Sequence, residues 1–262
     1  MVPDPPVGSN AEPTPKATSR EDLAHTFVEL ADTMVADFDL LDFLHVLVER
    51  SVSLLSADAA GLMLSDQRGH LRVLASTSEE ARLLELFELQ NAEGPCLDSF
   101  HSGEQVVNVD LADAHKRWPI FAPEAAAAGF GSVHALPLRL RGTVIGAVNL
   151  FCGDQMLSAE DIEVGQALAD VATIGLLSQQ SDDSQVIAET LQEALNSRVV
   201  LEQAKGVLAE MLHIDMEKGF NLIRRSAHLH GSKLTTVAAG VIDGSIGPSS
   251  LEGEARSAGP AT

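Results

Sequence analysis

"GSVHALPLRLRGTVIGAVNLF", Gly131 to Phe151, is the stretch on which the fold of this chain turns. Two runs of Val, Leu and Ile flank Arg141-Gly142, the pattern of two antiparallel strands joined by a tight turn. Past it, Ser158 is followed three residues later by Asp161, a cap opening the long helix "SAEDIEVGQALADVATIGLLSQQ". Before it, "DAAGLMLSDQRGHLRVLAST" holds two more short apolar runs about the polar turn Asp66-Gln67-Arg68-Gly69, a hairpin with a longer loop. Between the hairpins "SEEARLLELFELQ" has a helical period, "GPCLDSFHSGEQVVNVDL" reads as a short helix entering a strand at Val106 to Val109, and "WPIFAPEAAAAGF" as another short helix. Upstream, Ser19 with Asp22 opens a helix from Glu21 to about Ala36, and Leu41, Leu44, Val48, Val52 and Leu55 mark a second from about Leu40 to Leu55. Helices at both ends of a mostly antiparallel sheet predict an α+β, sensor-like domain over residues 21–180.

Downstream the pattern is wholly helical. "SQVIAETLQEALNSRVVLEQAKGVLAEML", "DMEKGFNLIRRSAHLH" and "SKLTTVAAGVIDG" predict a small all-α, three-helix domain over residues 181–246. Asp215 and Ser232 are the expected N-caps of its second and third helices, and Gly231 ends the second. The link "SQQSDDSQ" has neither Pro nor Gly and predicts a stiff, coiled-coil-like connection. Residues 1–20, rich in Pro, Ser and Thr without an apolar h-region, and residues 247–262 read as disordered tails.

The 262 residues contain no run long enough to cross a bilayer, so a cytoplasmic protein without membrane partners is expected. Cys96 and Cys152 are too few for a disulfide framework or a zinc site, which fits a reducing compartment, although one bridge between them stays open. A net charge of −21 opposes attraction to phosphate backbones, but the acidity is unevenly placed. Residues 1–183 hold ten Lys/Arg against 29 Asp/Glu, whereas residues 184–246 hold six against seven. Lys218 to Ala239 carries four basic residues and no acidic one, a local basic patch.

The chain offers no catalytic constellation and no metal or nucleotide motif, so an enzyme is not expected. "GFGSVH" lacks the third glycine of a dinucleotide loop and opens a strand, and His228 and His230, two apart on a helix, face different ways. Cys96, one residue after Pro95 at a helix start, is a candidate sensor thiol whose thiolate the helix N-terminus would favour; the alternative is a small buried hydrophobe. Trp118, with Phe121, is a candidate pocket wall or a core residue. The last three helices are more informative. Val200, Ala204, Val207, Leu208 and Met211 form an apolar stripe, while Arg198 and Lys205 share another face. Arg224 and Arg225 flank the second helix and Lys233 starts the third, so cations of three helices are expected to converge beside Gly206, a helix-interior glycine where a phosphate backbone has room to approach. Solvated surface cations are the alternative. Lys205 and Arg224 buried in intramolecular ion pairs, or turned toward opposite sides of the bundle, would undo that expectation and every reading of the output built on it.

"LEQAKGVLAEMLHIDMEKGFNLIRRSAHLHGSKLTTVA" resembles an ANTAR domain, the RNA-binding module of transcription antitermination regulators, through Arg198, the Ala204-Lys205-Gly206 triplet, Phe220, Ile223, Arg224, Lys233-Leu234 and Val237-Ala238. Gly219 stands where that pattern usually has Ala, and Gly231 where it usually has Asn. Residues 25–178 resemble a GAF domain in "GPCLDSF", "DLADAHKRWPIFAPEAAAAGFGSVHALPL" and "IGAVNLF". The resemblance implies a signal-responsive regulator whose paired ANTAR helices grip stem-loops in nascent RNA as a homodimer. Its RNA contacts would be Arg198, Ala204, Lys205, Gly206, Arg224, Arg225, Ser232 and Lys233. A small-molecule effector in the GAF-like domain is implied without its identity, since that fold hosts varied ligands. Two other outputs fit the residues: a DNA-binding helix-turn-helix, which a third helix offering only Lys233, Thr235 and Thr236 to base edges serves poorly, and a protein-interaction adaptor.

Overall fold

The computed structural model describes residues 19–35, 39–66, 68–140, 142–153, 155–178 and 184–257. Helices α1 (Arg20–Val35) and α2 (Leu40–Leu55) lead into the hairpin β1 (Ala59–Ser65) and β2 (Leu71–Ser76). Then come α3 (Glu79–Asn91), α4 (Pro95–Ser102), β3 (Val106–Asp110), α5 (Phe121–Ala127), β4 (Ser132–Leu140), β5 (Thr143–Cys152) and α6 (Ala159–Ser178). The five strands form one antiparallel sheet in the order β2-β1-β5-β4-β3. The α+β expectation holds, and the hairpin that decided it is the β4–β5 pair.

β1, β4 and β5 read as nearly continuous apolar runs because helices cover both sheet faces. Alternation then sorts the side chains between two layers. Leu62, Leu64, Leu136, Leu138 and Leu150 join the core of α1, α2 and α6. Met63, Val73 and Ala147 pack with Cys96 of α4, while Val133, Ala135 and Phe151 pack with Ala81 and Leu84 of α3 and Phe121, Ala122 and Ala125 of α5. The expected caps of α1 and α6 form. Ser19 Oγ accepts from the amides of Glu21 and Asp22 at 3.1 and 3.2 Å, and Ser158 and Asp161 cap reciprocally.

The C-terminal helices are α7 (Ser184–Leu212), α8 (Met216–His230), α9 (Leu234–Asp243) and α10 (Pro248–Ser257). α10 corrects the expected tail from residue 247: Leu251 is 1% exposed, and the helix packs on α8 and α7. The same apolar cluster runs from α2 into this bundle, through Leu201, Ala204, Phe220 and Leu234. Residues 1–18, 258–262 and the expected stiff link at 179–183 lie outside the described residues. No helix among the described residues is long and apolar enough to cross a membrane.

Candidate nucleic-acid interface

α7 meets α8 and α9 along Leu201, Ala204 and Leu208, spaced at three and four residues, against Phe220, Ile223, Ala227, Leu234, Val237 and Ala238. Ala204 is thereby fully buried and Lys205 is left only 9% exposed. The Lys205 ammonium lies 2.8 Å from Glu202 Oε1 and 6.0 Å from the centre of the Phe220 ring. The close helix approach falls at Gly219, not at Gly206. A Cβ on Gly219 would stand 3.3 Å from the Lys205 carbonyl oxygen, whereas one on Gly206 would meet nothing within 4 Å among the described residues. Gly206 is open backbone on the side of α7 away from its neighbours.

Arg224 turns toward the first domain. Its Nε lies 3.0 Å from Asp42 Oδ1 and its Nη1 2.9 Å from both oxygens of Glu49, two acids of α2. His228, one turn on, reaches Asp42 Oδ2 at 2.8 Å. Burial alone would raise the Asp42 pKa, but the His228 hydrogen bond and the charges of Arg224 and His228 outweigh it and hold the carboxyl below its ordinary value. Chiefly through that bond, His228 moves above its own. Asp39 serves two helices: Oδ1 accepts from the amides of Leu41 and Asp42 at the start of α2, and Oδ2 accepts from the Leu234 amide of α9 at 2.6 Å. This corrects the expectation for Ser232. Lys233 occupies the N-cap position of α9 without a side-chain cap, and the missing acceptor comes from Asp39. His45 of α2 stacks on Phe220 with ring centres 4.4 Å apart, and desolvation lowers its pKa to about 4, so it is neutral there.

The expected convergence of cations on one open face is therefore not what this arrangement presents. Lys205 and Arg224 are in intramolecular ion pairs, the condition set above for undoing it. Arg198 is partly buried on α7, and burial lowers its pKa. Arg225 is partly buried, Ser232 partly exposed and Lys233 exposed. Sequence reasoning missed Asp39, Asp42, Glu49, His45 and His228, the docking residues. Asp39 before an apolar helix carries an N-cap signal, but its second use, 195 residues along the chain, carries none.

The candidate sensor residues are interior. Cys96 is fully buried, and burial, with Glu88 and Glu85 nearby, pushes its thiol well above the ordinary value. That reverses the lowering expected from the start of α4. Trp118 is 1% exposed, donates from Nε1 to Asp98 Oδ2 at 3.1 Å and meets Phe121 edge-on. Glu88 accepts from the Leu97 amide at 2.8 Å and from Asn149 Nδ2 at 3.2 Å, yet burial pushes it up to about 8. Glu85 has no hydrogen-bond partner for either oxygen among the described residues, and burial beside Glu88 raises it well above the carboxylate range.

An antiparallel sheet between helical layers, with a helical bundle latched to α2, defines a two-part protein. A GAF family model matches residues 39–176, more than half of the chain, and an ANTAR domain model matches residues 189–242. The chain belongs to the GAF domain family and carries a C-terminal ANTAR domain. Among solved structures it is similar to the GAF domain of an Acinetobacter phosphoenolpyruvate-protein phosphotransferase, with 18% identity over 60% of this chain and 93% of that one at a TM-score of 0.45. It is also similar to the corresponding Coxiella burnetii domain, with 16% identity over 60% and 93% at 0.46. The free methionine-R-sulfoxide reductase of Neisseria meningitidis matches with 20% identity over 61% and 88% at 0.47. No curated protein matches the chain.

Proposed function

We propose that this protein is a cytoplasmic, signal-responsive transcription antitermination regulator whose ANTAR helices bind stem-loop RNA as a homodimer, and that the docked arrangement is its resting state. The carrying observation is that Arg224, an expected RNA contact, is shared between Asp42 and Glu49 of the GAF domain. A carboxylate pair on the arginine occupies the fork a phosphate would use, so the RNA-binding form requires α8 to leave α2. Once free, Arg198, Arg224, Arg225 and Lys233 neutralise phosphates beside the open backbone of Gly206, while unstacked loop bases are read by shape and base edge. Ala204 acts by packing, and Lys205, paired within its own helix, is a weaker contact than its sequence suggests. Exposed Val28, Ile174, Val199 and Met211 supply apolar surface for a second copy.

Filter binding to a stem-loop RNA tests this. Glu49→Gln, which weakens the clamp, is expected to raise affinity, and Lys233→Ala is expected to lower it and flatten its salt dependence by about one phosphate contact. Both curves lying on the wild type would exclude RNA binding by this face. Preference for duplex DNA in competition would favour the helix-turn-helix reading instead.

A further inference from the structure

Beside the Asp42 clamp the seam between the GAF domain and α7 stays open. Two adjoining hollows, one of about 70 Å³ and a wider groove of about 820 Å³, share Arg82, Arg198 and Glu202. The groove lies between the β1–β2 hairpin and the outer side of α7. Four arginines line it, Arg68 and Arg72 from the hairpin, Arg82 from α3 and Arg198 from α7, against the carboxylates of Asp66 and Glu202. In a chain of net charge −21 this is a local reversal of sign.

The internal pairing leaves positive charge over. Arg82 is forked onto Glu79, and Arg72 reaches Asp66 at 3.3 Å. Asp66 also accepts from the amides of Arg68 and His70, each at 2.9 Å, and Glu202 holds Lys205 at 2.8 Å. Both acids of the groove are thus already engaged. Among the described residues no ion pair or hydrogen bond engages the guanidinium of Arg68 or Arg198. Arg198 is partly buried and feels the carboxylates of Glu202 and Glu85 only through space, without a direct ion pair among the described residues, so an anion that pairs with it recovers part of its desolvation cost.

We propose that this groove binds a small phosphorylated metabolite carrying at least two phosphate groups, held between the hairpin of the GAF domain and Arg198 of α7. Guanidinium forks match phosphate oxygens bidentately, and the groove has the volume of an ordinary small-molecule site. Two phosphates are needed because the unpaired arginines stand on opposite walls. A compact ion fits better than an RNA strand, which would run past Glu79 and Glu217 of the adjoining hollow and along the acidic GAF surface. The hairpin and α7 belong to different modules, so the ligand completes its contacts only in the docked arrangement and stabilises it by mass action. It also takes Arg198 from RNA. This last consequence rests on the RNA-binding reading; the binding itself does not.

Calorimetric titration of the full chain with inorganic pyrophosphate, at fixed ionic strength and with sulfate as the single-anion comparison, tests the site. Pyrophosphate is expected to bind at least about tenfold tighter than sulfate, and Arg68→Ala and Arg198→Ala each to weaken it about tenfold. Lys116→Ala, elsewhere on the GAF surface, is expected to change nothing. Arg68 is exposed on the hairpin loop, so its variant keeps the test valid if Arg198→Ala perturbs the seam. Equal pyrophosphate affinity in wild type and Arg68→Ala overturns the proposal, as does sulfate binding as tightly. So does Arg68→Ala weakening stem-loop RNA while leaving pyrophosphate untouched, which makes the groove an RNA contact. Arginine-dependent pyrophosphate binding by a chain that binds no RNA upholds the site and defeats the RNA reading. RNA binding without pyrophosphate binding does the reverse.

Discussion

Glu88, beneath α4 inside the GAF domain, and Asp42, at the seam with the ANTAR helices, are both carboxylates withdrawn from water, and their pKa values move in opposite directions. Glu88 finds neutral donors, the amides of Leu97 and Cys96 and the side chain of Asn149, without an ion pair among the described residues, and Asp98 adds a like charge, so desolvation dominates and the acid stays protonated near neutral pH. Asp42 finds Arg224 and His228 of another module, so partners override desolvation and it stays charged. A buried acid satisfied within its own domain is a matter of local stability. One satisfied across two domains makes their docking depend on charge, and removal of either partner strands the other.

Removing the shared acid should have the largest effect on docking. Asp42→Ala leaves Arg224 and His228 against α2 with Glu49 alone, and weakens docking by about 3 kcal/mol. Hydrogen exchange at α8 and the Leu234 amide is expected to accelerate while β1 and β5 stay protected; unchanged protection of α8 would show that the clamp does not hold the modules together. The interior acid should behave otherwise. Because the Glu88 pKa is raised from 4.5 to about 8, its stabilising contribution is complete below 4.5 and is lost as pH rises through about 8. Glu88→Gln is thus expected to flatten the fall in melting temperature between pH 5 and pH 8.5, and to leave RNA binding alone.

Gly206→Ala separates stability from RNA contact on α7. Its Cβ meets nothing within 4 Å among the described residues, so helix propensity should raise stability by about 1 kcal/mol. If a phosphate backbone lies there, RNA affinity drops as the melting temperature rises; equal affinity would place the RNA elsewhere. The smallest effect is pH itself at the seam. The raised His228 pKa makes its contact with Asp42 complete below about 6.5 and lost as pH rises through the raised value, with Asp39 and Arg224 also facing the ring. His228 is more than half exposed, so solvent screens the pair, and only a modest increase in α8 exchange is expected from pH 6 to pH 8. His228→Gln should abolish that dependence.

Local signals carried most of the fold. The turn at Asp66 to Gly69, the Ser158–Asp161 cap, Asp215 as N-cap of α8 and Gly231 ending it with φ 58° each act within a few residues, where sequence spacing fixes geometry. α10 escaped because "PSSLEGEARS" is rich in Pro, Gly and Ser and has one large apolar residue, Leu251, which is buried where the helix packs on α8 and α7. At the candidate interface the residue types were legible, but the direction of Arg224 was not. Periodicity placed it on the flank of α8, and which flank would meet the acids of α2 is decided by contacts 175 residues apart. The triplet Ala204-Lys205-Gly206 likewise divided among a core residue, an internal ion pair and open backbone.

The single carboxylate of Asp39 starts two helices that the chain keeps far apart. Loss of order at the beginning of α2 removes the anchor of α9 in the same event, with no relay of side chains between them. A disturbance need travel only the width of one carboxyl group to pass from the sensing module to the third helix of the output.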